Sequence, residues 1–425
     1  MSMFQSEGAS LLIKSLPADW REARLLGRLQ LAEGPTPVLI EKGRVYDVSK
    51  SVPTVADAVA NLGKLDAKRA RDLGPLEALH ISAPAASGGP TSNASAASSA
   101  GPSKSASASG SRPSDDAGVS SGQSNAIEIL SPIDLQVIKA SGVTFAISAL
   151  ERVIDERSRG NFALAQQIRS NLSAKVGTDA LSVEPGSEAA SRLKEALIAE
   201  GLWSQYLEVA IGPDAEIFTK APVLSSVGWG AKVGIRSDSL WNNPEPEIVL
   251  AVDPAGTIVG AALGNDVNLR DIEGRSALLL GKAKDNTASC AIGPFIRLFD
   301  GTFTLDHVRE AVVELQIEGA EGFELRGRST MKDISRDPLD LVAQTVNSNH
   351  QYPDGFVLFL GTLFAPVEDR DEPGRGFTHK VGDVVRVSSA KLGTLVNTVV
   401  TCDTAPPWTV GITALMRNLA SRGLL

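Results

Sequence analysis

The stretch of sequence that decides the fold is Asn243-Pro-Glu-Pro-Glu-Ile-Val-Leu-Ala-Val252. Its last five residues are apolar, which is typical of a strand that enters a protein core. Asn243 and Glu245 each precede a proline, and a residue in that position favours extended backbone geometry. Because Glu245 and Glu247 are two residues apart, an extended strand presents both carboxylates on one face. The sequence therefore predicts a buried strand with two carboxylates at its polar start.

A turn and a return strand follow directly. Asp253-Pro-Ala-Gly256 is a turn sequence, and the residues from Thr257 to Leu263 have the pattern of a second strand. If the two ends of this turn pair, Glu245 faces Gly264 and Asp266 lies diagonal to Glu245 on the same face. Diagonal neighbours in a hairpin are about 7–8 Å apart at Cα, so their side chains can meet. The hairpin therefore predicts a third carboxylate beside the first two.

Three carboxylates without a neighbouring Cys or His are the donors that a hard cation prefers. Mg²⁺ binds such oxygens at about 2.0–2.1 Å and keeps positions for water or substrate. The simpler interpretation is a solvated strand face, which is the ordinary setting of a Glu-x-Glu pair. From these residues alone both interpretations stay open.

The composition excludes several classes of protein. The chain has 425 residues with a net charge of −9, and an acidic chain of this kind is a poor binder of nucleic acid or of membrane surfaces. Two cysteines do not make a disulfide framework, and no apolar run approaches the roughly 20 residues that span a bilayer. The N-terminal residues have no long apolar stretch typical of a secretory signal. We expect a cytoplasmic enzyme.

Composition and periodicity divide the chain into three parts. Residues 1–81 alternate in short strands and predict a small β-rich N-terminal module. Residues 82–125 consist largely of Ser, Ala, Gly and Pro, which predicts a flexible insertion. Residues 126–425 have the pattern of a dense globular domain, with helices predicted over 147–168, 189–203 and 412–421.

Several separated motifs occur in the order found in one enzyme family. A Glu-x-Glu strand followed by a downstream Asp is present in Pro244–Glu247 and Gly264–Asp271, and further matching stretches are Gly355–Thr362, Gly382–Val387 and Leu392–Asn397. These motifs resemble the fumarylacetoacetate hydrolases over residues 132–400. The resemblance implies an α+β, β-rich fold, in which a rolled β-sandwich catalytic domain with flanking helices follows the N-terminal module.

The resemblance also implies roles for individual residues. Glu245, Glu247 and Asp266 match the metal ligands, and the metal would be Mg²⁺, with Mn²⁺ as the alternative. Lys284 matches a lysine that reaches the substrate near the metal.

Gly361 and Thr362 match a pair that holds the substrate carboxylate in the family, although a tight turn at a strand end would use the same residues.

One position departs from the hydrolases of the family. Many of them carry His-x-x-Glu on a helix to activate water, and here Ser148 stands in the place of the His while Glu151 matches the Glu. A neutral serine is a poor general base without a partner, which disfavours hydrolysis. The closer resemblance is to the branch that dehydrates 2-keto-3-deoxy-pentonates. In that branch a Glu at the position of Glu216 lies near the metal, and Lys220 on the same segment is expected to bind substrate.

The hypothesis is therefore a Mg²⁺-dependent dehydratase that converts a 2-keto-3-deoxy-pentonate into 2,5-dioxopentanoate. Lys284 would be the base if burial lowers its pKa, and otherwise an anchor for the substrate. Glu216, with Glu151 as second choice, would donate a proton to the leaving C4 hydroxyl. A carbon–carbon hydrolase or a 2-oxo acid decarboxylase on the same metal site is the alternative, and a non-catalytic sugar-acid sensor is a third. We expect a homodimer or homotetramer.

Overall fold

The computed structural model describes residues 6–84, 126–159, 161–173, 183–199, 201, 203–362, 364, 368–371 and 376–425. Except for residues 82–84, the predicted insertion lies outside this part of the chain, and the predicted domain boundaries stay a prediction. The strands are β1 Leu25–Leu31, β2 Gly34–Glu41, β3 Arg44–Asp47, β4 Arg71–Pro75, β5 Glu128–Leu130, β6 Val137–Gly142, β7 Glu216–Ala221, β8 Lys232–Ile235, β9 Asn242–Asn243, β10 Pro246–Val252, β11 Ile258–Asp266, β12 Asn268–Leu269, β13 Cys290–Leu298, β14 Val312–Glu318, β15 Glu324–Thr330, β16 Phe356–Phe359, β17 Val384–Ser389 and β18 Gly393–Thr401.

The helices flank these strands. They are α1 Glu7–Lys14, α2 Val55–Ala60, α3 Ala146–Ser158, α4 Phe162–Ser173, α5 Glu188–Ala199, α6 Gln205–Ile211, α7 Arg270–Glu273, α8 Leu280–Lys284, α9 Leu305–Arg309, α10 Pro338–Thr345 and α11 Ile412–Ser421. The predicted last helix has the observed bounds.

Two sheets enclose the main core. The larger sheet has the strand order β4-β3-β2-β1-β13-β11-β10-β16-β6-β7, with β5 beside β1, and the smaller has the order β15-β14-β17-β18-β8. Apolar side chains of both sheets share one cluster, in which Ile248 and Leu250 of β10 join Leu315 of β14 and Val387 of β17. The predicted β-rich α+β fold is confirmed.

Strand β10 is buried along its whole length, as its apolar sequence predicts. Alternate residues enter different clusters: Ile248 packs in the core between the sheets, while Val249 packs on the opposite face of the large sheet with Val55 and Val59 of α2. Burial on both faces explains why the strand is a continuous apolar run rather than an alternating one.

The observed hairpin register differs from the predicted one by two residues. Glu247 pairs with Gly264, and the N–H of Asp266 donates to the carbonyl of Glu245 at 3.0 Å, so Asp266 is directly opposite Glu245 rather than diagonal to it. A longer turn and an irregularity beside Ala251 cause the shift. A shift of two residues keeps every side chain on its face, so the three carboxylates still converge.

The helix predicted over 147–168 is two helices in the structure, α3 and α4. Arg159 has a left-handed backbone with φ of 51°, which ends α3. The side chain of Asn161 then accepts a hydrogen bond from the N–H of Leu164 at 3.2 Å and caps the next helix. A propensity for helix on both sides of this cap is what made the sequence pattern look continuous.

In the described part of the chain, no helix is both long and apolar enough to cross a membrane. Cys290 and Cys402 are free thiols, as the cysteine count predicts.

The N-terminal strands extend the large sheet instead of forming a sheet of their own. Strand β1 pairs with β13 through Leu25 and Arg297. The Arg297 side chain is 1% exposed, and its two terminal nitrogens hold the two carboxylate oxygens of Asp19 at 2.8 and 2.9 Å. Lys391, which follows β17, also contacts Asp19 at 2.8 Å. One carboxylate therefore joins the N-terminal segment to both sheets.

We predict that Asp19→Asn lowers the free energy of unfolding by about 3 kcal/mol, because it leaves the buried Arg297 without a charged partner. The exposed pair of Arg21 and Glu77, at 2.5 Å, supplies the matched control, since Glu77→Gln there should cost less than about 1 kcal/mol. Urea unfolding at neutral pH measures both changes. Equal effects of the two substitutions would contradict the structural role of Asp19.

The ion pair of Asp19 and Arg297 also determines how the stability of the fold depends on pH. The Arg297 guanidinium holds the pKa of Asp19 well below its ordinary value. The ionised Asp19 carboxylate therefore stabilises the folded protein above the pKa that Asp19 has in the unfolded chain, about 4. This stabilisation is lost as the pH falls below that value.

Candidate metal centre

The β10–β11 hairpin brings three carboxylates together at one end of the large sheet. Oxygens of Glu245, Glu247 and Asp266 lie within 4.8 Å of one another. The three residues are 5%, 3% and 1% exposed, so this group is buried and is not a solvated strand face. Burial of three carboxylates at such distances requires positive charge close by.

Two lysines supply part of that charge. The ammonium of Lys284, at the end of α8, donates to Glu245 Oε2 and to Asp266 Oδ2, the latter at 3.1 Å. The ammonium of Lys220, on β7, lies 2.7 Å from Asp266 Oδ1 and donates to the backbone carbonyls of Val267 and Lys284. Lys220, which we expected to bind substrate, is fully buried and therefore holds Asp266.

The protonation of these groups follows from burial and from their neighbours. Burial, then Asp266 and Glu245, raise the pKa of Glu247 well above its ordinary value. Burial also acts to raise the pKa of Asp266, but Lys220 and Lys284 outweigh it and lower that pKa. For Lys284 the burial acts to lower the pKa, and Asp266 and Glu245 reverse the direction and raise it. The condition for Lys284 to act as a base is therefore not met in this structure.

The residues fit a hard divalent cation. The cluster offers only oxygen ligands and it is buried, and burial together with the charges of Asp266 and Glu245 raises the pKa of Glu247. Oxygen donors of this kind suit Mg²⁺. Glu245, Glu247 and Asp266 would hold the ion.

Glu216 lies next to this cluster at the start of β7, opposite Gly142 of β6. The absence of a side chain at Gly142 makes room for the carboxyl group, because a Cβ there would lie 2.0 Å from Glu216 Oε2. Burial, then the charge of Glu273, raise the pKa of Glu216 to about 7. A carboxyl group with such a pKa can take up and release a proton at neutral pH.

The remaining predicted residues surround the cluster. The N–H of Gly361 donates to Glu247 Oε2 at 2.6 Å, and the hydroxyl of Thr362 donates to the carbonyl of Pro246 at 3.2 Å. Gly361 has a φ of +88°, a backbone conformation that is unfavourable for a residue with a side chain. Both residues therefore fix the end of β16 against the ligand strand.

Ser148, which stands where many hydrolases of the family have a histidine, has a structural role in α3. The hydroxyl of Ser148 donates to the carbonyl of Phe145 at 2.7 Å within the first turn of α3. Glu151 pairs with Arg270 of α7 at 3.1 Å. Neither side chain is arranged as a water-activating pair, which agrees with the sequence argument against hydrolysis.

The sequence did not single out Arg152, Glu273 and Asn268. Arg152 contacts Glu245 Oε1 at 2.8 Å and Glu273 at 2.5 Å, and the side-chain amide of Asn268 donates to Glu245 Oε1 at 3.1 Å. Asn268 lies two residues after Asp266, and this spacing could have marked it in the sequence as a neighbour of the metal centre. Arg152 reaches the site from α3, far away in the sequence, and only the fold reveals it.

The residues of the metal centre lie in a stretch that resembles a known protein family. Residues 245–400 match the family model of the fumarylacetoacetate (FAA) hydrolase C-terminal domain. This part of the chain is therefore similar to that family's C-terminal domain. The match begins at the first predicted metal ligand and includes all three of them.

Two curated relatives of this domain are dehydratases by name. The chain is 32% identical over 187 residues to the 2-dehydro-3-deoxy-D-arabinonate dehydratase of Saccharolobus solfataricus, a region that covers 43% of this chain and 58% of the relative. It is 31% identical over 196 residues to a Haloferax volcanii protein named "Probable 2-keto-3-deoxyxylonate dehydratase", covering 46% of this chain and 64% of that one. The chain thus spans about three fifths of the length of these relatives.

A solved structure shows the same fold. The 2-keto-3-deoxy-D-arabinonate dehydratase in its apo form superposes with a TM-score of 0.55 at 20% identity, covering 89% of this chain and 99% of that one. The predicted fold of the fumarylacetoacetate hydrolase family is thereby confirmed.

We predict that Glu247→Gln weakens Mg²⁺ binding by more than about 100-fold, since it removes one of three charged ligands. The variant should be at least as stable as the parent without metal, because the raised pKa means that the ionised carboxylate costs stability at neutral pH. Isothermal titration calorimetry and thermal unfolding give the two values. The control is Glu314→Gln, an equal change of charge at an exposed position on β14. Unaltered Mg²⁺ affinity in Glu247→Gln would rule out this ligand.

Proposed function

We propose that the protein is a Mg²⁺-dependent dehydratase, which converts a 2-keto-3-deoxy-pentonate into 2,5-dioxopentanoate and water. The observation that carries the proposal is the buried cluster of Glu245, Glu247 and Asp266 with the titratable Glu216 beside it. Two relatives named as dehydratases of such acids support the choice of substrate class. A structure of the 2-keto-3-deoxy-D-arabinonate dehydratase, with a TM-score of 0.54 at 19% identity, is described as complexed with magnesium and 2,5-dioxopentanoate.

A bound Mg²⁺ supplies a Lewis acid for the ketone and carboxylate of a 2-oxo acid. The ammonium of Lys284 stays protonated beside Asp266 and Glu245, so we assign it to anchoring the substrate oxygens by hydrogen bonds and charge. The buried surroundings of these residues exclude water and strengthen each polar contact.

The reaction removes one proton from C3 and adds one proton to the hydroxyl that leaves from C4. We assign both transfers to Glu216, whose pKa of about 7 suits a group that first accepts and then donates. The ionised carboxylate takes the C3 proton, the protonated form returns it to the leaving hydroxyl, and water departs. The product of this elimination has a double bond between C3 and C4 and still carries the C5 hydroxyl. Loss of a proton from C5 and addition of a proton at C3 convert it into the enol between C4 and C5, and this enol tautomerises to the C5 aldehyde as its hydroxyl proton is lost and C4 is protonated. Glu151, our second choice as acid, is paired with Arg270 and is not needed for this sequence of steps.

The first experiment is a coupled assay with 2-keto-3-deoxy-D-pentonate, in which an added semialdehyde dehydrogenase reports the product as NAD(P)H. We expect turnover with Mg²⁺, none after EDTA, and recovery when Mg²⁺ is restored. Mn²⁺ is tested in the same assay. No product from a chain that binds Mg²⁺ would reject the substrate, and pyruvate release from an acylpyruvate would then favour the carbon–carbon hydrolase.

A substitution of Gly142 tests the position of Glu216. We predict that Gly142→Ala lowers kcat about 100-fold, because the new Cβ displaces the Glu216 carboxyl group from its place. Its Mg²⁺ affinity should stay unchanged, since the three heavy atoms nearest to the new Cβ all belong to Glu216 and none to a metal ligand. Gly63→Ala is the matched control, because open space surrounds that position. Normal turnover of Gly142→Ala would contradict the assignment of Glu216.

A further inference from the structure

The protein holds one oxygen of each carboxylate in the metal centre. For Glu245 this oxygen is Oε1, which accepts from Arg152 at 2.8 Å and from the amide of Asn268 at 3.1 Å. All three side chains come from different elements: β9–β10, α3 and β12. The orientation of the Glu245 carboxylate is thus fixed from two sides.

The other two carboxylates are held in the same way. Glu247 Oε2 accepts from the N–H of Gly361 at 2.6 Å, and Asp266 Oδ1 lies 2.7 Å from the ammonium of Lys220. Backbone and fully buried side chains supply these contacts, so the oxygens are not free to turn toward an ion. The second oxygens are Glu245 Oε2, Glu247 Oε1 and Asp266 Oδ2. The ammonium of Lys284 contacts Glu245 Oε2 and Asp266 Oδ2, so a cation that binds these two oxygens would take the place of that ammonium.

This pattern has different consequences for two common ions. Mg²⁺ binds six oxygens at about 2.0–2.1 Å in a regular octahedron and accepts single carboxylate oxygens with several waters. Ca²⁺ takes six to eight oxygens at about 2.3–2.6 Å and commonly uses both oxygens of a carboxylate. We propose that the donors behind the three carboxylates make the site select Mg²⁺ over Ca²⁺, and that Arg152 is the positioning residue for Glu245. This inference rests on the metal centre of the proposed function.

Arg152 suits this role because it is itself held between two carboxylates. Its second terminal nitrogen contacts Glu273 of α7, so the guanidinium bridges Glu273 and Glu245. Both carboxylates are 6% exposed, and the Arg152 side chain is 16% exposed. Without Arg152, Glu245 Oε1 loses its charged partner and can turn to bind an ion together with Oε2.

The ratio of two affinities separates geometry from charge. Removal of a buried cation strengthens the binding of every divalent ion through Coulomb attraction, and this contribution is equal for Mg²⁺ and Ca²⁺. It cancels in the ratio of the two dissociation constants. A change in the ratio therefore reports the orientation of Glu245 and not the net charge of the site.

Arg270 supplies a matched control. It crosses the same contact between α3 and α7 in the opposite direction, where its guanidinium pairs with Glu151 at 3.1 Å instead of with a metal ligand. Its side chain is 3% exposed, so Arg270→Met removes a buried arginine from the same helix pair. The two variants lose equal charge, and only Arg152→Met releases Glu245.

The experiment titrates the full chain, freed of divalent ions, with MgCl₂ and with CaCl₂ in a calorimeter. We expect the parent to prefer Mg²⁺, and Arg152→Met to reduce the preference for Mg²⁺ over Ca²⁺ by about tenfold. Arg270→Met should keep the parental ratio. Asn268→Ala, which removes the neutral donor to the same oxygen, should move the ratio in the direction of Arg152→Met and tests the inference even if Arg152→Met does not fold.

The outcomes separate this inference from the proposed function. A parent chain that binds no Mg²⁺ would overturn the metal centre and the proposed function together. A parent that binds Mg²⁺ without preference over Ca²⁺ would overturn the selectivity alone. Parental ratios in both Arg152→Met and Asn268→Ala would overturn the positioning role of Arg152 and leave the dehydratase proposal standing.

Discussion

The burial of three mutually repelling carboxylates is the constraint on which the rest of this structure depends. A hairpin of apolar strands brings Glu245, Glu247 and Asp266 out of water, and only nearby cations make that arrangement stable. Two lysines from different elements supply these cations: Lys220 of β7 and Lys284 of α8 both form ion pairs with Asp266. The large sheet, the short helices after β12 and the helix α3 each carry a cationic side chain that contacts one of these carboxylates.

The sequence predicted the centre of this arrangement well. Proline before and after Glu245 restricted the backbone, and the period of a strand placed Glu247 on the same face, so local rules sufficed. The register was wrong by two residues, because turn length and an irregularity in the ladder depend on the packing of β10 against β16 as well as on turn chemistry. This error did not affect the predicted site, because side chains alternate between faces with a period of two and both registers place Asp266 on the ligand face.

The surroundings of the site could not be predicted from local pattern. Arg152 meets Glu245 across 93 positions of sequence, and nothing in the spacing of α3 distinguishes it from an arginine on a solvated helix face. The direction of the shift in the pKa of Lys284 could not be decided from the sequence for a related reason. Burial alone acts to lower it, and its actual direction depends on two carboxylates that only the folded chain brings within reach.

The junction between β1 and β13 gives the boundary at the Ser-rich insertion a different meaning. Strand β13 carries Cys290 opposite Asp266 at one end and Arg297 opposite Leu25 at the other, so it is interior to the sheet only while β1 is present. A fragment that starts at residue 126 would present the far half of β13 as a bare, apolar edge, the kind of surface through which proteins aggregate. The segments before and after the predicted insertion therefore contribute strands to one sheet, and a protein fragment cut where the composition changes would divide that sheet.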